Sequence, residues 1–395
     1  MKNKFLHATV ALRLIMDDFD VVIIGAGPAG VASAITIART GASVAVVEKN
    51  HAPHGKVCGE GILPPGLARL KSLGILRHLS PDQSYSIKGL GYMNEGHRSE
   101  TSFREGPGLG INRQVLSCAL WATLKEYPNI SLIHGTEFVS FNRDNNGVNL
   151  SNNLSITTKF LIGADGLRSK VRKSLDLEAS KSSVKRWAIN AHFSKKPWSN
   201  MVEIYLSNKI EAYVTPINPY QINLVFLWSP DNKLTVRGPH ELFNHFLMLF
   251  PELAARLKSS HVCEQPRAIG PFFNTPKTIF SGTKAALVGD AAGYIDPLTG
   301  EGISLGLFSG MVLGQILGHR LKNKQAIKLK DLANYQNILR NHSRAHVFLT
   351  KNLLHLIKYP RLTTQAVKIL ERWPSLLGML ASFNMGSYQK SCPYS

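Results

Sequence analysis

Asp20-Val-Val-Ile-Ile-Gly-Ala-Gly-Pro-Ala-Gly30 is the stretch of sequence that decides the fold. Its continuous apolar run, residues 21–24, predicts a parallel strand that is buried on both faces. Gly25, Gly27 and Gly30 then form the G-x-G-x-x-G pattern of a strand-to-helix turn. Gly25 allows the tight turn, Gly27 lets a pyrophosphate approach the backbone, and Gly30 lets the helix pack closely on the strand. We therefore expect a βαβ unit that binds an anion at the N-terminus of its helix.

An acidic residue follows this unit at the expected distance. Residues 43–47 predict the second strand, and Glu48 stands at its end. A carboxylate at this position accepts hydrogen bonds from ribose hydroxyls and repels a 2′-phosphate, which indicates FAD or NAD and not NADP. The alternative is a glycine turn in an unrelated α/β protein, but the strand, the helix and the acidic residue together argue against it.

Two later segments repeat the pattern of an apolar strand that ends in a glycine-rich loop. Residues 160–166 read Phe-Leu-Ile-Gly-Ala-Asp-Gly, where Asp165 can accept a hydrogen bond from a ligand. In residues 285–307 a strand ends at Gly289-Asp290, and Asp290 suits a sugar hydroxyl. A helix begins near Gly302, and its free N–H groups stabilise negative charge, such as that on a reduced flavin. Because glycines recur along that helix, we expect it to pack closely inside the protein and not to span a membrane.

Bulk composition limits the size and the class of the protein. The 395 residues suffice for two domains, and the hydrophobic content of 44% is that of a globular protein. The four cysteines show no spacing typical of zinc or of a disulfide framework, so we expect no metal site and a cytoplasmic setting. Residues 1–16 lack a cleavage site, and we interpret them as an N-terminal extension.

Positive charge is concentrated near the C-terminus. The formal net charge is +20, and residues 320–395 contain thirteen Lys or Arg against two acidic residues. We find no nucleic-acid-binding motif and expect no nucleic-acid partner. Arg344, Lys351, His355 and Lys358 fall on one helical stripe. This stripe either contacts an anionic membrane surface, which would make the protein peripheral to the inner face of a membrane, or is a solvated helix face.

We predict an α/β fold: a Rossmann-like dinucleotide-binding domain with an inserted, mainly antiparallel β-sheet domain for the substrate, followed by C-terminal helices. Residues 186–230 alternate apolar and polar side chains, so we expect their sheet to bury one face. The expected boundaries are 17–85, 105–175 and 265–325 for the cofactor domain, 86–104 and 176–264 for the substrate domain, and 326–395 for the helices.

Taken in this order, the three motifs resemble those of FAD-dependent oxidoreductases of the para-hydroxybenzoate hydroxylase fold, over residues 17 to about 320. The resemblance implies non-covalent FAD and NAD(P)H as the electron donor. It places the FAD pyrophosphate on the first glycines and on Arg113, the adenosine ribose on Glu48 and the flavin-side ribose on Asp290. The full set of expected cofactor-binding residues is Gly25, Gly27, Pro28, Ala29, Gly30, Glu48, Lys49, Arg113, Asp165, Gly289, Asp290, Gly300, Gly302 and Ile303.

Within that superfamily, residues 56–64 and 296–302 look like the geranylgeranyl-reductase-like branch, which also merges into monooxygenases. The resemblance places Cys58 near the flavin ring, where it is a catalytic candidate or a buried filler. Glu60 is a candidate general base or a surface acid. Tyr205 and Tyr213 are candidates for substrate contact or for sheet packing.

Segment 212–216 departs from the aromatic segment of the reductases, and residues 163–166 complete the hydroxylase fingerprint. We therefore expect a monooxygenase that hydroxylates a lipophilic aromatic or polyketide-like molecule. A reductase of isoprenoid double bonds is the alternative, followed by a non-catalytic prenyl-binding escort protein. The oligomeric state stays open.

Overall fold

A computed structural model describes residues 18–177, 186–207, 209–229, 238–272 and 275–386. The expected extension at 1–16 lies outside these ranges. The strands are β1 (Asp18–Ile24), β2 (Val44–Glu48), β3 (Gly61–Ile62), β4 (Ser84–Ile87), β5 (Gly89–Asn94), β6 (His97–Ser102), β7 (Gly108–Ile111), β8 (Ile130–His134), β9 (Phe138–Asn142), β10 (Gly147–Leu150), β11 (Ser155–Gly163), β12 (Arg186–Ser194), β13 (Met201–Ser207), β14 (Ile210–Asn218), β15 (Gln221–Trp228), β16 (His261–Phe272), β17 (Phe280–Ser281) and β18 (Ala285–Leu287).

The helices are α1 (Pro28–Ala38), α2 (Pro64–Ser72), α3 (Arg113–Leu124), α4 (Lys170–Ser174), α5 (Gly238–Met248), α6 (Pro251–Leu257), α7 (Gly302–Lys322), α8 (Leu329–Leu356), α9 (Pro360–Arg372) and α10 (Pro374–Asn384). The chain therefore contains the strands and helices expected for both domains, and helices follow at its C-terminal end. The fold is a mixed α/β fold, as expected.

The first sheet confirms the predicted parallel arrangement. Its strands run in the order β17-β18-β11-β1-β2-β8, with β10 and β9 attached to β11. The pairs β1–β2, β1–β11, β11–β18 and β2–β8 are parallel. Residues 21–23 are 0% exposed, because helices cover this sheet and the strand has no solvent-facing side. The three motifs follow β1, β11 and β18, which are neighbouring parallel strands. The motifs therefore lie side by side at the carboxyl ends of these strands.

The second sheet is the expected insertion, and we refer to it as the substrate sheet. Its order is β16-β12-β15-β14-β13-β5-β6, and every neighbouring pair is antiparallel except β13 with β5. Strand β16 runs to Phe272, beyond the boundary expected at 264. The expectation of one buried face is wrong, because both faces are covered. Phe243 and Phe246 of α5 pack on one face, and the other face lies over a cavity.

Helix α7 packs against α1 through a stripe of glycines at four-residue intervals. A Cβ atom added to Gly310 would collide with the carbonyl oxygen of Ala29, and one added to Gly314 would lie 2.8 Å from Cβ of Thr36. Of the helices in the described ranges, α7 alone has the length and hydropathy of a membrane span, and 72% of that window is buried inside the protein. The buried packing agrees with the prediction of a core helix.

Candidate active site

The three motif loops are tied together by backbone hydrogen bonds. The Gly25 N–H donates to the carbonyl oxygen of Val47 at 2.7 Å. The N–H of Ala164 donates to Ile24 at 2.8 Å, and that of Val288 donates to Gly163 at 2.9 Å. These bonds extend the parallel ladder one step past the strands. The loops therefore converge at the carboxyl ends of adjacent strands, which is where ligands bind in α/β sheets.

The glycines of the first motif have two different roles. Gly25 has φ +109°, a conformation that other residues rarely adopt, and a Cβ at Gly30 would collide with the carbonyl oxygen of Gly25. These two glycines are therefore required by the protein's own packing. Gly27 has φ −79° and ψ −180°, and its Cβ would meet no heavy atom within 4 Å. Gly27 is the N-cap of α1, where glycine is tolerated better than larger apolar residues. The open space beside it gives a ligand room to approach the backbone at this turn.

Glu48 lies where the sequence predicted an acceptor for ribose. Its side chain is 7% exposed, and its Oε2 accepts a hydrogen bond from Ala26 N–H at 3.0 Å. Its Oε1 accepts one from Asn50 N–H, also at 3.0 Å. Asn50 Nδ2 also donates to Oε1. Because a carboxylate has about four acceptor positions, one position remains for a ribose hydroxyl. The two backbone bonds fix the carboxylate at the cavity wall that it shares with Lys49.

Arg113 is the first residue of α3 and is 8% exposed. Its Nη1 is buried without a hydrogen-bond partner within the described part of the chain, and the residue lines the cavity. An unpaired buried donor is costly, and a guanidinium presents donors that match phosphate oxygens. The orphaned nitrogen therefore fits a cofactor phosphate.

The second and third motifs reach the same cavity. Asp165 accepts hydrogen bonds from Ser169 Oγ and from Val171 N–H, so its carboxylate caps α4. Burial raises the pKa of Asp165, although these hydrogen bonds oppose the shift. Asp290 forms an ion pair with Lys56 at 3.0 Å. Both carboxylates line the cavity, and the same wall includes Pro28, Ala29, Gly289, Gly300, Gly302 and Ile303.

Cys58 lies in the loop before β3 and lines the cavity with its half-buried side chain. Its Sγ accepts the N–H of Glu60 at 3.4 Å, and its carbonyl oxygen accepts Asn223 Nδ2 at 2.8 Å. Burial raises the pKa of the Cys58 thiol, although the positive charge of Arg113 opposes the shift. The group is therefore held as a neutral thiol.

Glu60 is 1% exposed and has φ 60°. Its Oε1 accepts Arg113 N–H at 2.7 Å, and its Oε2 lies 2.6 Å from His192 Nε2. Burial lowers the pKa of His192, but the Glu60 hydrogen bond and charge outweigh this effect and raise it. Glu264, 3.5 Å from Nδ1 of the same imidazole, adds to the increase. Glu60 thus joins the Cys58 loop to α3 and to the substrate sheet.

The two tyrosines predicted for substrate contact lie on opposite faces of the substrate sheet. Tyr213 lines the cavity and donates its hydroxyl to the carbonyl oxygen of Leu298 at 2.9 Å. Tyr205 packs among the aromatic residues under α5, and its hydroxyl donates to Glu203 at 2.8 Å. The structure brings Tyr213 to the site and does not bring Tyr205 there, because odd-numbered residues of β13 face away from the cavity.

Buried charges behind the cavity were missed by the sequence analysis. Arg186 of β12 donates to Glu211 of β14 at 2.9 Å, and its Nε lies 3.0 Å from Asp296 Oδ2. Desolvation raises the pKa of Asp296 to about 7, although Arg186 opposes it. Glu301, which precedes α7, is 4% exposed, and burial raises its pKa to about 7. The Arg186 cluster joins the substrate sheet to the loop that starts α7, and sequence spacing gives no signal for such a contact.

The cavity has a volume of about 860 Å³ and runs from the three motifs to the C-terminal helices. Ile204, Val225 and Leu227 form its sheet side. The opposite wall consists of residues from α8, α9 and α10 and from the turn between α8 and α9: Leu349, Leu353, Leu356, Ile357, Thr363, Ala366, Val367, Leu370, Leu377, Leu380, Ala381 and Asn384. The sequence predicted these helices but not their part in the site.

These features together fit FAD. The open space at Gly27, the unpaired nitrogen of Arg113 and the carboxylates of Glu48 and Asp290 lie along one cavity that ends at the N-terminus of α7. Within the described residues, His, Cys, Asp and Glu form no cluster suited to a metal ion.

Comparisons with known proteins agree with this geometry. The profile of the FAD binding domain family matches residues 18–347. The chain is 25% identical over 386 residues to a menaquinone reductase of Mycobacterium tuberculosis, covering 92% of this chain and 90% of that protein. It is 26% identical over 330 residues to a digeranylgeranylglycerophospholipid reductase of Methanococcus vannielii, covering 79% and 80%.

The solved structure of a probable FAD-dependent monooxygenase from Pseudomonas aeruginosa superposes with a TM-score of 0.75 at 19% identity, covering 88% of this chain and 99% of that one. At this identity the likeness concerns the fold. The sequence profile, together with the named relatives and the site geometry, shows that this chain belongs to the FAD-binding domain family and is a FAD-dependent oxidoreductase.

Proposed function

We propose that the protein reduces a carbon–carbon double bond in a lipid that carries an isoprenoid chain, with NAD(P)H as the electron donor. The observation that carries this proposal is the apolar wall that α8, α9 and α10 add to the cavity. A compact aromatic ring does not need this additional wall, whereas a long hydrocarbon chain does. Burial contributes roughly 0.8 kcal/mol per CH₂ group, so such a wall gives a prenyl chain substantial affinity.

The relatives support the same class of substrate. Menaquinone and digeranylgeranylglycerophospholipid, which appear in the names of the two reductases, both carry isoprenoid chains. The alignment with the first of these proteins covers 92% of this chain, so it extends beyond residue 348 into the segment of the C-terminal helices.

Reduction of a double bond adds a hydride to one carbon and a proton to the other. A bound reduced flavin supplies the hydride. Cys58 Sγ is the group that we assign to hold the proton, since its raised pKa keeps the thiol neutral and the side chain lines the cavity. The N–H of Glu60, 3.4 Å from Sγ, stabilises the thiolate that remains after proton transfer.

Hydroxylation of a lipophilic aromatic or polyketide-like molecule is the second candidate. Residues 163–166 complete the fingerprint associated with NAD(P)H-linked hydroxylases, and Gly166 has open space beside its Cβ position. Tyr92, Tyr213 and Tyr294 also line the cavity, and their aromatic side chains suit a ring.

Product mass separates the two reactions. We expect a geranylgeranyl lipid, incubated with NADH or NADPH without oxygen, to gain two hydrogen atoms. With menaquinone the gain should persist after the ring is reoxidised in air, because reduction of the quinone to the quinol adds the same mass. A gain of one oxygen atom, in air and only with an aromatic substrate, would replace the reductase proposal by the hydroxylase. Oxidation of NAD(P)H with neither product would refute both.

A matched pair of variants tests the role of Cys58. We expect Cys58→Ser to keep FAD bound but to lose most turnover, because a hydroxyl is a much weaker acid than a thiol. Cys118→Ser is the control, because Cys118 is exposed on α3 and does not line the cavity. Equal turnover of the two variants would contradict the assignment.

A further inference from the structure

The outer surface of the C-terminal helices is unusually apolar. The exposed large hydrophobic residues of this segment are Phe348, Tyr359, Leu362, Ile369, Trp373, Met379 and Phe383, each at least 39% exposed. The described remainder of the chain, which is several times longer, contributes five more. Scattered exposed apolar residues are normal, but this density within 36 residues indicates an interaction surface.

Helix α9 shows how this surface is organised. Leu362, Ile369 and Trp373 have the spacing i, i+7, i+11, which places them along one side of the helix. They are 50%, 55% and 61% exposed. The inner side of the same helix, including Val367 and Leu370, lines the cavity. One helix therefore separates the substrate cavity from an exposed apolar stripe.

A basic stripe runs beside the apolar one. Arg361, Lys368 and Arg372 have the same i, i+7, i+11 spacing, one residue earlier in each case, and all three are exposed. The basic residues predicted from the sequence, Arg344, Lys351, His355 and Lys358, are also exposed, along α8 and just beyond its end.

Residues 344–384 contain a single acid, Glu371, and its carboxylate accepts a hydrogen bond from the backbone of Arg98 and pairs with His97. The exposed face of these helices therefore has a strongly positive net charge. A helix with adjoining apolar and basic stripes has the features of one that lies in the plane of an anionic membrane interface.

We propose that the apolar and basic stripes of α9 dock the protein on an anionic bilayer, which places the helical wall of its cavity at the membrane surface. The positive charge of the basic stripe favours an anionic bilayer over a neutral partner. The arrangement is that of a peripheral protein that receives its lipophilic substrate from the membrane. Docking itself does not depend on which reaction the protein catalyses, so its test needs no turnover.

The experiment measures co-sedimentation of the FAD-loaded protein with vesicles of phosphatidylcholine alone or mixed with phosphatidylglycerol. We expect binding to the anionic vesicles that weakens at high salt, as the Debye length falls from about 10 Å to about 3 Å. Replacing Arg361, Lys368 and Arg372 by Gln should weaken binding about fivefold per residue, or about a hundredfold together. Lys322, Lys324 and Lys330, exposed outside the stripe, provide a Gln control with the same change in charge.

The apolar stripe has its own control. We expect Leu362→Ser with Ile369→Ser to reduce binding roughly tenfold, because each side chain loses apolar area buried in the interface. Val139→Ser with Val262→Ser, at exposed positions far along the chain from α9, should leave binding unchanged. Trp373 is the most exposed of the five tryptophans, and its emission should shift to the blue on anionic vesicles.

Three results would overturn the proposal. Equal and negligible sedimentation with both kinds of vesicle would show that the two stripes face water and do not bind a membrane. If the variant with Gln at Lys322, Lys324 and Lys330 lost as much vesicle binding, binding would depend on the total charge of the protein and not on the basic stripe. A stable dimer that the Leu362→Ser, Ile369→Ser variant dissociates would identify a second copy of this chain as the occupant.

Discussion

Replacing Gly27 by Val should weaken FAD binding with little effect on the stability of the protein, whereas replacing Gly30 by Ala should destabilise the protein itself. Gly27 has φ −79° and ψ −180°, which any residue adopts, and its Cβ position has no neighbour within 4 Å. The Gly27→Val change therefore causes no steric clash, and its cost to the fold is the loss of a favoured N-cap residue, roughly 1 kcal/mol or less. At Gly30 a Cβ would collide with the carbonyl oxygen of Gly25 and lie 3.2 Å from Cβ of Ala164.

The magnitudes follow from these geometries. Overpacking costs about 1–3 kcal/mol, so Gly30→Ala should lower the free energy of unfolding of the FAD-free protein by that amount. In Gly27→Val the same steric cost falls on the cofactor, which corresponds to a roughly tenfold to hundredfold rise in the Kd for FAD.

Urea unfolding of the FAD-free variants gives the first quantity, and titration with FAD followed by flavin fluorescence gives the second. Unchanged FAD affinity in Gly27→Val would refute the placement of the cofactor, and so would a FAD-free Gly27→Val protein as unstable as Gly30→Ala.

Three further predictions concern the same site. Arg113→Met should weaken FAD binding roughly tenfold to hundredfold, as expected for loss of a charged hydrogen-bond donor; FAD affinity within twofold of wild type in equilibrium dialysis would contradict it. Acid precipitation of the wild-type protein should release all flavin to the supernatant, since we predict non-covalent FAD; flavin retained in the pellet would show a covalent bond. Glu301 has a folded-state pKa raised to about 7, so the native state holds a proton that the unfolded chain has lost, and stability should fall as pH rises from about 4.5 to about 7. Glu301→Gln should flatten this fall by up to about 1.4 kcal/mol per pH unit in urea titrations, and an unchanged slope would exclude Glu301 as its source.

The meeting of the three motif loops at one end of the first sheet could be predicted because each motif is local. Gly25, Gly163 and Gly289 each follow a short apolar strand, and parallel strands bring such loops to one edge without any further information. The small residues of α7 likewise predicted close packing inside the protein, and the structure shows that α1 is the helix they contact. These features depend on backbone conformation and short spacings, which a sequence displays directly.

The substrate end could not be predicted in the same way, because its contacts are distant in sequence. Glu60 meets His192 across 132 positions, and Arg186 joins Asp296 across two domains. Tyr205 and Tyr213 look alike in sequence, since β13 and β14 are largely buried on both faces and the sequence does not show which face meets the cavity. The wall formed by α8 to α10 depends on how helices fold back, which periodicity does not specify.

The helical wall has a consequence for how specificity can change. The match to the FAD-binding family ends at residue 347, and the cavity-lining residues of the wall begin at Leu349. The segment that matches the FAD-binding family and the segment that supplies the helical wall of the cavity are therefore consecutive. An exchange of the second segment has to keep its contacts with the first, such as the bonds of Glu371 to His97 and Arg98. A chimera that takes residues 349–384 from a relative with another lipid preference should acquire the substrate range of that relative and keep its own flavin.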